Sequence, residues 1–392
     1  MARVTATLSQ PLFSLFSLVF LFQVGTGMLW SVIAIYTKSM GASVAMVGAI
    51  LSSFGVVRLF INIPSGMAAE KFGRGFMMRI GGLCTVAGAF GAAITSGLPA
   101  FTICLWVIAM GSSIYATAAL TAMVDLGSPE RRLQDMASYQ AVNVIGISLG
   151  PGLGGIVAGL WGYKAPFLFQ GIVALCALWL LPRPAKKANA KNKGSASWGD
   201  MGGFIRQPQT IAIGLMAFAN FFVRVSSNWV ILPLIATTKF EMSVGTVGII
   251  LTAGAITNLA CLPFTPWVAS RLGRTRMIVF ASALFVIGVL SLCYGNTGAL
   301  IWISTMCIGA GAGFGAPMLT TYIAETALPH QRGAAMGAFR TVQDSAMILG
   351  PSVTGLLTDR LGLGYQGGLL GCLVVIVTAT FFFVYTAPKN AS

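Results

Sequence analysis

The feature that most constrains this chain is the recurrence of long apolar stretches. Twelve occur, at 12–36, 44–66, 76–95, 98–122, 136–160, 164–182, 210–236, 244–267, 276–295, 297–323, 334–358 and 365–386. Each comes close to the roughly 20 residues a helix needs to cross a bilayer. Backbone groups in lipid must bond internally, so an open-ended segment can only be a helix, and the two-residue alternation of a membrane barrel is absent. Only 8% of the 392 residues are charged and 56% are hydrophobic. A soluble domain carries about 25% charged residues, and this chain has too few to cover a soluble surface. The expectation is an all-α, multi-pass membrane protein with twelve transmembrane helices.

The charges sort by loop. With an even number of spans both termini share one side, which then carries Arg3, Lys71, Arg74, Arg79, Arg131, Arg132, Arg183, Lys186, Lys187, Arg271, Arg274, Arg276 and Arg332 among others. The opposite side carries only Lys38, Lys164, Lys239 and Arg360. Basic loops stay inside, so both termini are expected in the cytoplasm. The net charge of +15 is thereby an orientation signal, and no nucleic-acid partner is expected. Seven scattered cysteines form no C-x-x-C pair, so neither a metal site nor a disulfide framework is indicated, and no cofactor is expected. The run Leu12 to Tyr36 exceeds a signal-peptide core and reads as a retained helix.

A shift of 200 residues aligns the chain with itself. Ser43, Val44, Val47, Gly48, Ile50 and Leu51 recur as Ser243, Val244, Val247, Gly248, Ile250 and Leu251. Gly73-Arg74 recurs as Gly273-Arg274, Gly111 as Gly311, and Pro129, Arg132, Leu149, Gly150, Pro151 and Gly155 as Pro329, Arg332, Leu349, Gly350, Pro351 and Gly355. Shared apolar composition does not produce G-R, P-x-x-R and L-G-P at one constant shift. The organisation expected is a six-helix bundle over 1–182, a polar cytoplasmic linker over 183–208 and a second six-helix bundle over 209–392. Parallel six-helix repeats with a site between them near the midplane are the plan of one large transporter class.

Two motifs sharpen this. Residues 66–75 read G-M-A-A-E-K-F-G-R-G, and the loop at 266–276 reads P-W-V-A-S-R-L-G-R-T-R. The pair resembles the loop motif of the major facilitator superfamily, with Glu70 in place of the usual Asp and Ser270 in the second copy. Residues 146–155, G-I-S-L-G-P-G-L-G-G, are similar to the G-x-x-x-G-P-x-x-G-G stretch of proton-driven exporters in that superfamily. The resemblance implies a gating role for Gly66, Glu70, Gly73 and Arg74, and for Gly146, Gly150, Pro151, Gly154 and Gly155. Asp125, Arg132, Glu325 and Arg332 read as gate or helix-cap ion pairs. Two departures stand against the exporter pattern: Val107 occupies the place of an Arg on the fourth helix, and the first helix carries no carboxylate.

Charges inside a span are costly and mark function. Asn220, Arg224, Ser227 and Asn228 fall at i, i+4, i+7 and i+8, one face of a regular helix. Candidate substrate contacts are Arg224 and Asn228, Gln23 and Trp30 on the first helix, and Arg58, Tyr115, Gln140, Asn143 and Arg340. For Tyr115, packing is nearly as good a reading. Asp344 is the lone carboxylate deep in a span and the candidate proton-coupling residue. Arg58 and Asp344 each lie about 12 Å of helical rise from the inner end. Pairing of Asp344 with Arg58, or with Arg340 one turn earlier, is open, as is a permanent structural salt bridge. No catalytic constellation is found and no enzyme is expected; His330 is the only histidine.

The function expected is secondary active transport by alternating access: proton-coupled efflux of a small neutral, zwitterionic or anionic organic molecule. The alternative is uptake or exchange of a small organic anion. The partners expected are the substrate, protons and membrane lipid, with a monomer in the bacterial inner membrane.

Overall fold

The computed structural model describes residues 10–126, 132–181, 207–327 and 332–386. Most of the linker, together with Pro129 and His330, lies outside the described residues, and so do the side chains of Glu70, Asp125, Arg132 and Arg332. The described chain is helical and contains no strand. In order, the helices are α1 (Gln10–Trp30), α2 (Ile33–Ser39), α3 (Val44–Phe72), α4 (Arg74–Ile94), α5 (Leu98–Leu126), α6 (Arg132–Trp161) and α7 (Ala165–Trp179). There follow α8 (Pro208–Val225), a π-helical segment (Ser226–Ile231), α9 (Leu232–Thr238), α10 (Val244–Cys261), a 3-10 turn (Leu262–Phe264), α11 (Thr265–Leu272), α12 (Arg274–Tyr294), α13 (Gly298–Thr326), α14 (Arg332–Arg360) and α15 (Tyr365–Thr386). Ten stretches among the described residues are long and apolar enough to cross a membrane; α7 is apolar but shorter, and α14, which carries Arg340, Gln343 and Asp344, is outside that set.

The repeat becomes local structure through its punctuation. Ser43 Oγ accepts the amide of Met46 at 3.2 Å, and Ser243 Oγ accepts that of Thr246 at the same distance. Each serine therefore satisfies an orphan donor at the start of its helix, which explains why both copies keep it. Gly73 and Gly273 sit at φ 98° and 76°, between α3 and α4 and between α11 and α12. A residue with a Cβ would be strained in both places, so the helices reverse there without a longer loop.

Packing divides the chain into two compact units: Met1–Trp30 with Val57–Lys191, and Ser31–Val56 with Asn192–Ser392. The six-plus-six division read from the repeat concerns duplication, whereas these units concern packing, and they part company at Ser31–Val56. In the first unit α4 packs on α5 and α7, and α1 on α6 and α7. Small residues make these approaches close. A Cβ on Gly27 would lie 2.7 Å from the Ile147 carbonyl, and one on Gly146 would meet Phe20 O at 2.9 Å. Gly150 faces Gly27, and Gly154 faces the Met28 backbone. The glycine-rich stretch of α6 is thus filled by α1.

In the second unit α8 packs on α14 and α15, α12 on α13 and α15, and α10 on α13. Gly111 and Gly311 keep the same job in the two units: each admits a neighbouring helix backbone, at Gly81 and at Ala281. Residues Ser31–Val56 join this unit through α14. Gly48 meets Pro351, Gly55 meets Met347 and Ile348, and Gly355 meets Val44 and Ala45. Two polar contacts fix the register: Ser52 Oγ accepts the Ser352 amide at 3.0 Å, and Asp359 Oδ2 accepts the Ala45 amide at 2.8 Å. The Asp359 carboxylate therefore caps the start of α3 from another helix, where negative charge is favoured.

Candidate functional site

The first unit gathers neutral polar groups. Gln23 on α1 donates to Asn143 Oδ1 on α6, closing a pair that the sequence placed on separate spans. Tyr115 on α5 stacks on Phe22 with centroids 4.0 Å apart and planes 7° off parallel. It is 2% exposed. That is a packed ring and not an open aromatic wall, and its hydroxyl has no hydrogen-bond partner among the described residues. Tyr139 on α6 was not singled out in the sequence; its hydroxyl donates to Ala116 O at 3.4 Å. Gln23, Asn143, Tyr115 and Tyr139 line a recess of about 10 Å³, together with Val19, Ala116 and Ala119. A cavity needs about 10–15 Å³ to hold one water, so this recess takes a water at most. Trp30 is 4% exposed at the end of α1, which leaves little of its ring for stacking on a ligand. Gln140 is exposed.

The second unit gathers cationic and amide groups on one broken helix. Pro233 explains the break. It has no N–H for the carbonyl of Trp229, and its ring crowds that carbonyl. The turn before it widens to π geometry over Ser226–Ile231. A widened turn accommodates one extra residue, which rotates the downstream residues by about 100° relative to a continuous α-helix. Of the residues expected on one polar face, Asn220 and Arg224 precede the π segment, and Ser227 and Asn228 lie within it. Ser226 and Ser227 are wholly buried near the Cys372 thiol, while Arg224 and Asn228 are half-buried. The period was regular only up to the π segment, and Pro233 was the signal that marked its end.

Arg224 lies with its guanidinium carbon 4.8 Å from the centre of the Phe221 ring. No carboxylate pairs with it among the described residues. Asn220, one turn earlier, is 9% exposed, and neither its Nδ2 nor its Oδ1 has a partner. Its amide abuts Gly315 on α13, where a Cβ would stand 3.1 Å from Nδ2. Asn228 Oδ1 is also unsatisfied. Each buried group left without a partner costs about 1–3 kcal/mol, so a cluster of them favours a ligand that brings its own hydrogen-bonding groups. Trp229 meets Phe221 edge-on at 6.5 Å and extends the aromatic surface beside the guanidinium.

The other candidates lie on other helices. Arg58 is half-buried on the part of α3 that belongs to the first unit. Arg340 is exposed and Asp344 half-buried on α14 in the second. Glu325 pairs with Arg274, its Oε1 taking Nη2 at 3.2 Å and its Oε2 taking Nη1. Among the described residues no cluster of His, Cys, Asp and Glu could hold a metal ion.

Long apolar helices locked by glycine seats define a polytopic membrane protein. The chain belongs to the Major Facilitator Superfamily, whose family profile matches residues 15–228 and 213–392. It is therefore a membrane transporter. It is similar to an uncharacterised MFS-type transporter of Methanocaldococcus jannaschii, 23% identical over 372 residues that cover 91% of this chain and 93% of the relative. It is also similar to the quinolone resistance protein NorA of Staphylococcus aureus, 21% identical over 364 residues covering 90% and 91%. Among solved structures, the nucleoside transporter NupG superposes with a TM-score of 0.81 at 17% identity, over 96% of this chain and 99% of that one, which establishes the fold.

Proposed function

We propose that this chain is a secondary active transporter that exports a small neutral, zwitterionic or anionic organic molecule in exchange for protons. It does so by alternating access of two six-helix halves, 1–182 and 209–392, joined by the 183–208 linker. Twelve spans place both termini in the cytoplasm, and the protein works as a monomer in a bacterial inner membrane. The observation that carries the export reading is the full-length similarity to a quinolone resistance protein. The glycine-proline stretch of α6 supports it. Asp344 binds the proton, and the loop motif with Glu70, Gly73 and Arg74 governs the inner gate.

Arg224, without a carboxylate partner among the described residues, favours a second reading, the uptake or exchange of a small organic anion. Val107 in place of the fourth-helix Arg agrees with it. Purified protein in proteoliposomes with an imposed pH gradient separates the two. Accumulation of a quinolone against its gradient, driven by protons moving the other way and collapsed by an ionophore, supports export. Movement insensitive to the gradient sinks proton coupling.

A further inference from the structure

The polar groups of the second unit specify more than a solute: they specify its charged end. The Arg224 guanidinium carbon lies 4.8 Å from the centre of the Phe221 ring, and no carboxylate pairs with it among the described residues. Its N–H groups form a planar fork whose geometry matches a carboxylate. Within one turn on either side stand Asn220 and Asn228, with amide atoms unpaired. Asn220 is nine-tenths buried, and its amide lies beside Gly315. Two carboxylates of the same unit are engaged elsewhere: Glu325 with Arg274 and Asp359 with the Ala45 amide. The aromatic pair Phe221–Trp229 continues the same surface and offers a face for a flat ring.

We infer that Arg224, with Asn220 and Asn228, is a recognition site for the carboxylate of an aromatic monoanion, whose ring lies against Phe221 and Trp229. The inference rests on the transport reading above and narrows its substrate class. A single guanidinium matches a single negative charge. A phosphate dianion would be left half-neutralised in a poorly hydrated place and is disfavoured. Asn220 supplies an amide donor to the carboxylate, and its own oxygen remains to accept a hydroxyl or N–H of the ligand.

The test is binding of 1-naphthoate, its neutral isostere 1-naphthamide and naphthyl phosphate to the purified full chain in lipid nanodiscs, measured by calorimetry. The acid is expected to bind at least about tenfold tighter than the amide and than the phosphate. Arg224→Gln is expected to bring the acid-to-amide ratio to about one while amide binding moves less than about threefold. Arg224→Lys, which keeps the charge and loses the fork, is expected to fall between the two. Equal affinity for acid and amide in the natural protein overturns the assignment, as does an unchanged ratio in Arg224→Gln or the absence of saturable naphthoate binding. If Arg224→Gln does not fold, Asn220→Ala decides: the ratio must drop, and an unchanged ratio overturns the proposal. Failure of proton-coupled export shows separately, as gradient-insensitive transport with these binding ratios intact.

Discussion

Arg274 and Glu325 form a two-pronged ion pair between the first turn of α12 and the last turn of α13. The sequence assigned them to different jobs, Arg274 to the basic cytoplasmic side and Glu325 to a gate or cap. The fold brings them together because Gly273 reverses the chain immediately before Arg274. The two side chains are 48% and 45% exposed, so solvent screens the pair. Removing either charge is expected to cost no more than about 1 kcal/mol of stability. A double-mutant cycle of Arg274→Ala and Glu325→Ala by thermal unfolding checks this. A coupling well above that size would mean that the pair does more than tether a loop.

The α1–α6 seat should tolerate no side chain. Gly150 faces Gly27 backbone to backbone. Gly150→Leu is expected to destabilise by roughly 1–3 kcal/mol or more, because a leucine cannot be placed without parting the helices. Gly214 on α8 meets nothing within 4 Å, and Gly214→Ala is expected to be neutral or stabilising by up to about 1 kcal/mol. Detergent-solubilised melting of both variants gives the contrast.

The cap that Asp359 provides to α3 predicts a graded series. Asp359→Ala should cost about 1 kcal/mol, whereas Asp359→Asn keeps an acceptor and should cost less. Hydrogen exchange at the Ala45 amide is the direct readout, since that amide donates to Asp359 Oδ2 at 2.8 Å. Equal protection in the two variants would remove the cap from the account of how Ser31–Val56 is held.

Pro233→Ala restores a donor for the Trp229 carbonyl. The π turn over Ser226–Ile231 is expected to relax to α geometry, returning the residues beyond it by about 100°. Stability should rise slightly, and naphthoate binding at Arg224 should weaken because Asn228 and Trp229 lie in the turn that relaxes. Unaltered binding would show that the π turn does not shape the site.

Asp344→Asn removes the candidate proton carrier while keeping the shape of the side chain. Under the export reading, transport should lose its dependence on a pH gradient, yet counterflow of unlabelled for labelled substrate should persist. Retained gradient dependence would take Asp344 out of the coupling role.

Much of this molecule was written along the chain. Apolar run length dictated helices, because lipid offers no other way to satisfy the backbone. The 200-residue shift marked Ser43, Ser243, Gly73 and Gly273 as punctuation, and each ends or starts a helix as a repeat unit requires. The polar residues worth watching were visible too, since an Arg or Asn within an apolar run stands out. What the sequence could not contain was distance across the fold. Gln23 meets Asn143, Ser52 meets the Ser352 amide and Arg274 meets Glu325 only because separate helices are pressed together at glycine seats. The facing of Arg224 and Asn228 also waited on tertiary structure. A helical period can be counted from residue to residue only while the turn stays regular, and Pro233 had already widened it.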